Sequence, residues 1–220
     1  MKILKKHLIN PTKINFTLDR KNIFIHIPKN AGSSISSNLG FKESSHATYK
    51  QIQNQINKKK LKKIFIFTFV RNPIDRFFSL YNYARLKESK YHSSINPKKA
   101  KYGKHLDFDL LKDASIDECA KFLIEGKLRH DTFWNHWCPQ TDWICDESGK
   151  IAVDYFGRVE YLEADFKFLC SKLDFKYSNL PTLNGSNLDK MSKAKSFSLE
   201  TKQIIKHYYK KDFDLLGYNL

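Results

Sequence analysis

Two stretches of the chain are apolar at nearly every position, and each stops abruptly at a polar, turn-forming segment. Residues 22–27 (NIFIHI) make a short β-rich run broken at Pro28. Residues 63–70 (KIFIFTFV) make a longer one that ends at Arg71-Asn72-Pro73. Near-continuous apolar character over this length suits a strand covered on both faces, as central parallel strands are. A helical pattern follows each run. Residues 35–39 form the first helix, which Gly40 stops; Asn72 as N-cap and Pro73 at the first helical position predict the second over 73–87. Two strand, loop and helix units in series predict an α/β fold in one domain, with a P-loop-like central parallel β-sheet flanked by helices.

The remaining pattern fills in around this frame. Ser44 or Ser45 is placed to cap a helix over 46–56, and Ser115 with Glu118 three residues on forms a capping box for a helix over 115–125. Residues 153–159 read as a third strand. Leu162, Phe166, Leu169 and Leu173 recur at helical spacing, residues 199–209 form a last helix, and a short tail ends near Tyr218. The polar stretch 88–107 carries no periodicity and reads as a long loop, the usual location for substrate contacts. Within the single domain, 22–40 and 63–87 thus form two loop-bearing units, and 88–145 is the expected substrate-binding region.

Composition sharpens the partner class. Of 220 residues, 41% are hydrophobic and 14% aromatic, enough for a packed core, while the formal charge is +16. Such an excess attracts polyanions: nucleotides, nucleic acid, acidic glycans or anionic membranes. Much of it lies in lysine runs at 58–60, 62–63, 98–99 and 210–211, whose ordinary reading is a solvated face. Cys119, Cys138, Cys145 and Cys170 include no CxxC pair, so neither a zinc site nor a disulfide framework is expected. A Cys138–Cys145 bridge is the less favoured alternative to buried thiols. Residues 1–10 lack the apolar core of a signal peptide, and no stretch approaches 18 apolar residues. A soluble protein is expected, with the Asn and Lys richness favouring a bacterial cytoplasmic enzyme. Peripheral membrane association stays open.

The candidate chemistry begins where the first strand ends. Pro28, Lys29, Asn30, Ala31, Gly32, Ser33 and Ser34 put a lysine, a glycine and two hydroxyls between a buried strand and a helix start. Free backbone N–H groups there face an anion, Gly32 permits close approach, and Lys29 adds a mobile charge. The segment is not a Walker A loop, because it has no GK[ST] and its lysine precedes the glycine.

The stretch from His26 through Ile35 (HIPKNAGSSI) resembles the 5′-phosphosulfate loop of sulfotransferases that use PAPS (3′-phosphoadenosine 5′-phosphosulfate), in the branch of carbohydrate sulfotransferases and bacterial relatives. The segment 69–83 (FVRNPIDRFFSLYNY) is similar to that family's 3′-phosphate unit, where an arginine and a serine eight residues apart hold the phosphate; here these are Arg71 and Ser79. The bland alternatives are a salt bridge from Arg71 to Asp75 and a serine bonded back to its own helix. Weaker matches at 136–140, 153–160, Leu162 with Asp165 and Phe166, 180–186 and 212–218 extend the resemblance along nearly the whole chain. In the 180–186 segment it implies Asn184 and Ser186 as cofactor contacts.

The resemblance implies sulfuryl transfer from PAPS to a hydroxyl, expected to be on a glycan, leaving PAP and needing no metal. Lys29 is then the group that stabilises the leaving phosphate, and His46, in Ser45-His46-Ala47-Thr48, the general base. His26, on the strand, reads as a packing residue. His136, Trp137 and Gln140 are the candidate acceptor contacts, with His136 an alternative base. Phe133, Trp134, Trp137 and Trp143 form an aromatic cluster that reads as core or as a sugar platform. Glu160 and Asp165 are assigned to structure. A basic nucleic-acid-binding module and, less favoured, a nucleotide kinase are the competing readings.

Overall fold

The structure, a computed structural model, describes residues 13–41, 45–87, 103–128, 136–180 and 197–219. Three parallel strands stand side by side in the order β1 (Asn22–Ile25), β2 (Phe65–Val70) and β3 (Tyr155–Arg158). Period-two alternation sorts the two faces by chemistry. Ile23, Ile25, Ile66 and Val70 lie on an aliphatic face with Ile52 and Trp143, whereas Phe24, Phe67 and Phe69 lie on an aromatic face with Ile35, Phe166 and Leu169. Both faces are buried, the reason the sequence shows continuous apolar runs. Each buried phenylalanine or isoleucine contributes about 1.5–3 kcal/mol relative to exposure.

The helices around the sheet are α1 (Gly32–Asn38), α2 (Tyr49–Gln55), α3 (Lys58–Leu61), α4 (Pro73–Ala84), α5 (Phe108–Leu111), α6 (Ile116–Ile124), α7 (Thr141–Ile144), α8 (Leu162–Lys172), α9 (Leu199–Tyr208) and α10 (Lys210–Leu216). A second core forms where α4, α6 and α9 pack together through Phe77, Leu80, Leu123 and Ile205 around the fully buried Trp137. Asn72 caps α4, accepting from the amide of Ile74, and Ser115 and Glu118 form the expected capping box on α6.

Two local expectations are corrected. The helix predicted over 46–56 begins at Tyr49, because Thr48 and Gln51 form the capping box; Ser45 instead bonds the carbonyl of Lys13, and Ser44 lies outside the described residues. The expected tail after residue 209 is the helix α10, closed by Gly217 in the left-handed region at φ 66°. The four cysteines are free thiols. Among the described residues, no helix is long and apolar enough to cross a membrane.

Candidate functional site

The site is built where β1 and β2 end. After β1 the chain turns through Lys29 at φ 71° and Ala31 at φ 58°, two non-glycine residues in the left-handed region, before α1 begins. Such conformations cost about 1–3 kcal/mol each and are kept where the surroundings over-determine them. Left-handed residues set between others in a turn are the backbone pattern of anion-binding concavities, and this loop has that pattern up to α1, where the amides of Ser34 and Ile35 donate to the carbonyl of Ala31. Gly32 has a reason beyond close approach to a ligand. A Cβ there would stand 1.9 Å from Cδ2 of His26, whose ring fills the space.

Asn30 faces inward. Its Nδ2 donates to the carbonyl of Phe69 at 2.8 Å and to Oε1 of Gln140 at 2.6 Å, which ties the loop to the end of β2. Gln140 returns the favour to the residue after β2: Oε1 accepts from the amide of Arg71 at 2.8 Å and Nε2 donates to its carbonyl at 2.7 Å. Gln140 is itself held by the buried carboxylate of Asp212, which also accepts from the amide and hydroxyl of Thr141. From the other side the buried Arg76 donates through Nε to the carbonyl of Pro28 (3.2 Å) and through its Nη atoms to those of Cys138 and His136 (both 2.8 Å).

Lys29, Arg71 and Arg76 thus gather around one loop, and none has a carboxylate within 4 Å among the described residues. The bland reading of Arg71, a salt bridge to Asp75, is not formed; its Nη1 reaches the carbonyl of Lys29 at 3.4 Å instead. Burial, reinforced by the Arg71 charge, pulls the Lys29 ammonium down to about 8. Ser33, Ser34 and Ser79 are half-buried, and Ser79 sits two turns into α4 as its spacing implied.

His46 lies on the segment before α2, its ring 4.3 Å from that of His26 and tilted 48° to it. Its Nδ1 is 2.7 Å from the carbonyl of His26. A carbonyl only accepts, so Nδ1 carries the proton and Nε2 is the accepting nitrogen. Burial lowers the pKa of His46, the carbonyl bond opposing it, and burial with the neighbouring His46 and Lys29 holds His26 well below the usual range. Both rings are therefore neutral at neutral pH.

The expected acceptor contacts fare differently. Trp137 and Gln140 are fully buried and offer no surface to an acceptor: the Trp137 indole donates to Asp107 at 2.8 Å inside the core, and Gln140 is the structural tie just described. His136 is also buried, with Nδ1 at 3.1 Å from Nε2 of His105. Trp143 is core. Phe133, Trp134, Asn184 and Ser186 lie outside the described residues. Glu160 accepts from the amide of Asn72 and the Tyr218 hydroxyl, and Asp165 from the amide of Arg158, as structural acids. Sequence reasoning missed Arg76 and Asp212. The available signal for Arg76 was its place between Asn72 and Ser79 on one helical stripe; Asp212 gave none, its partners lying about seventy positions away.

The model of the Sulfotransferase family matches residues 12–219. The chain belongs to the sulfotransferase family. No curated protein and no solved structure matches it. As a sulfotransferase it moves sulfuryl groups, and its single α/β domain with a parallel sheet accords with that family. Nothing in the match favours the nucleic-acid-binding or kinase readings.

Proposed function

We propose that this sulfotransferase takes its sulfuryl group from PAPS and delivers it to a hydroxyl, with a carbohydrate as the acceptor class. The observation that carries the reading is the gathering of Lys29, Arg71 and Arg76 around the loop that joins β1 to α1, without a carboxylate partner within 4 Å among the described residues. Arg76 is spent on the loop carbonyls and Arg71 feels Asp75 and Glu160 only beyond 4 Å, so Lys29 and Arg71 are the partly buried cations suited to a ligand bearing several negative charges.

In this reading the loop amides of residues 29–33, with the Ser33 and Ser34 hydroxyls, hold the 5′ phosphosulfate, and Arg71 with Ser79 holds the 3′-phosphate; the Ser34 amide is committed to the carbonyl of Ala31. Asn184 and Ser186 complete the nucleotide contacts. Asn30 acts through its fixed backbone, because its amide nitrogen is committed to Phe69 and Gln140. The acceptor oxygen attacks sulfur in line with the phosphate oxygen that leaves. As the new O–S bond forms and the old one breaks, the acceptor proton passes to Nε2 of His46 and Lys29 neutralises the charge on departing PAP. His46 is in the right tautomer for this role, and its lowered pKa keeps it unprotonated at neutral pH.

The direct test is transfer of labelled sulfate from PAPS to a panel of glycans. Label in a glycan, lost in Lys29→Ala and His46→Ala, is the expected result. Label transferred equally by both variants would remove the assigned roles, and transfer only to non-carbohydrate hydroxyls would remove the acceptor class.

A further inference from the structure

Helix α4 carries more of the site than Ser79. Asn72, Arg76, Ser79 and Tyr83 follow one another at spacings of four, three and four, one stripe along a helix of 3.6 residues per turn. Asn72 caps the helix and Arg76 grips the loop at Pro28. At the far end of the stripe, the Lys29 ammonium lies over the face of the Tyr83 ring, 4.0 Å from its centroid. The ring is braced in turn. His105 meets it edge-on at 6.1 Å, and His136 lies tilted against it at 5.9 Å. These two imidazoles bond each other, the amide of Asp107 donates to Nδ1 of His105 at 3.1 Å, and Asp107 accepts from the buried Trp137. Tyr83 is therefore anchored through side chains to the core beneath α4, at the place where Lys29 comes to rest.

We propose that Tyr83 is a positioning residue for Lys29, its ring face holding the ammonium charged and aimed along the loop. The proposal rests on the leaving-group role assigned to Lys29 for its functional consequence, though not for its geometry. An aromatic face attracts a desolvated cation through its quadrupole and so favours the protonated amine. The other groups facing Lys29 do not: Arg71 carries a like charge, and His26 is neutral. With Lys29 already pulled down to about 8, an interaction that favours the charged form decides how much ammonium is present in the neutral range. Among the described residues, His105 and His136 are the titratable groups packed against the ring, with Asp107 beside His105.

The test follows the Lys29 side chain itself. In protein labelled with carbon-13 at lysine Cε, the Lys29 resonance is assigned by its loss in Lys29→Arg and titrated in the wild type, Tyr83→Phe and Tyr83→Leu. Tyr83→Phe, which keeps the ring, is expected to titrate with the wild type; Tyr83→Leu is expected to lower the Lys29 pKa by about one unit. Turnover near pH 7.5 should fall about threefold in Tyr83→Leu, as the charged fraction of Lys29 drops, and stay at the wild-type level in Tyr83→Phe. If Tyr83→Leu folds poorly, pentafluorophenylalanine at position 83 keeps the shape and reverses the quadrupole, and the same downward shift is expected. A Lys29 titration indifferent to Leu and to the fluorinated ring overturns the proposal. A titration that follows the ring, in an enzyme where Lys29→Ala transfers sulfate normally, upholds the positioning by Tyr83 and overturns the leaving-group role instead.

Discussion

Asn30 and Gln140, 110 positions apart, share a 2.6 Å hydrogen bond, and through it the loop after β1 is locked to the residue after β2. One side-chain oxygen accepts from both Asn30 Nδ2 and the Arg71 amide, so the two units expected to bind opposite ends of a nucleotide cannot drift apart independently.

Gln140→Leu should therefore damage stability and binding together. It strips partners from the buried Asn30 amide and from both backbone groups of Arg71, a loss of about 3–5 kcal/mol. Thermal unfolding should show a large fall in Tm, and PAP binding at low temperature should weaken in whatever fraction remains folded. Gln140→Glu should fail similarly despite its shape, because it removes the donor to the Arg71 carbonyl and sets a second carboxylate against Asp212.

Gly32→Ala adds one methyl group, and that methyl collides with the His26 ring at 1.9 Å. Displacing His26 disturbs His46, whose ring packs against it and bonds its carbonyl. The expected outcome is destabilisation of about 1–3 kcal/mol with turnover lost more steeply than PAP affinity, measured by denaturant unfolding beside steady-state kinetics. His26→Ala in the same chain removes the collision and should recover part of the stability.

The pH profile follows from two groups with opposite requirements. His46 must be neutral to accept a proton, and burial depresses its pKa, so the acid limb of kcat/KM for the free enzyme should lie below the ordinary histidine value of about 6.5. Lys29 must be charged and is pulled down to about 8, so activity should fall as pH rises through that value. A bell with its alkaline limb near 8 is expected. Lys29→Arg, which stays charged, should move that limb upward.

The stability of the histidine pair has a sign of its own. His26 and His46 have depressed pKa values in the folded chain, so the unfolded chain binds more protons as pH falls below about 6.5. Stability from their burial is fully present above that value and is lost as pH drops toward the folded pKa values. Urea midpoints measured from pH 7.5 down to 5 should decline, and the decline should be shallower in His46→Gln.

The parts of this protein that the sequence displayed openly are those set by local periodicity and local caps. The runs NIFIHI and KIFIFTFV are strands because both their faces are buried, and Asn72-Pro73 and Ser115 with Glu118 start helices where their chemistry requires. Thr48 with Gln51 was equally legible as a capping box, yet the preceding serines drew the helix start too early. What local pattern cannot carry is pairing over distance. Gln140 and Trp137 sit among aromatic and polar neighbours that look like an exposed sugar platform, but their partners, Asp212, Asn30 and Asp107, take them into the interior. Arg76 was hidden for the same reason, since its acceptors are three backbone carbonyls from two other segments.

The central claim is that the loop and Arg71 together form a site for a nucleotide with a separate 3′-phosphate. Calorimetric titration of the wild type and Arg71→Ala with PAP and with 5′-AMP tests it most directly. The wild type should bind PAP at micromolar levels and at least tenfold more tightly than 5′-AMP. Arg71→Ala should lose about tenfold to a hundredfold for PAP while 5′-AMP changes little, consistent with about 1.5–3 kcal/mol for a charge-assisted contact. Equal affinity for PAP and 5′-AMP in the wild type, or PAP binding indifferent to Arg71→Ala, would contradict the account.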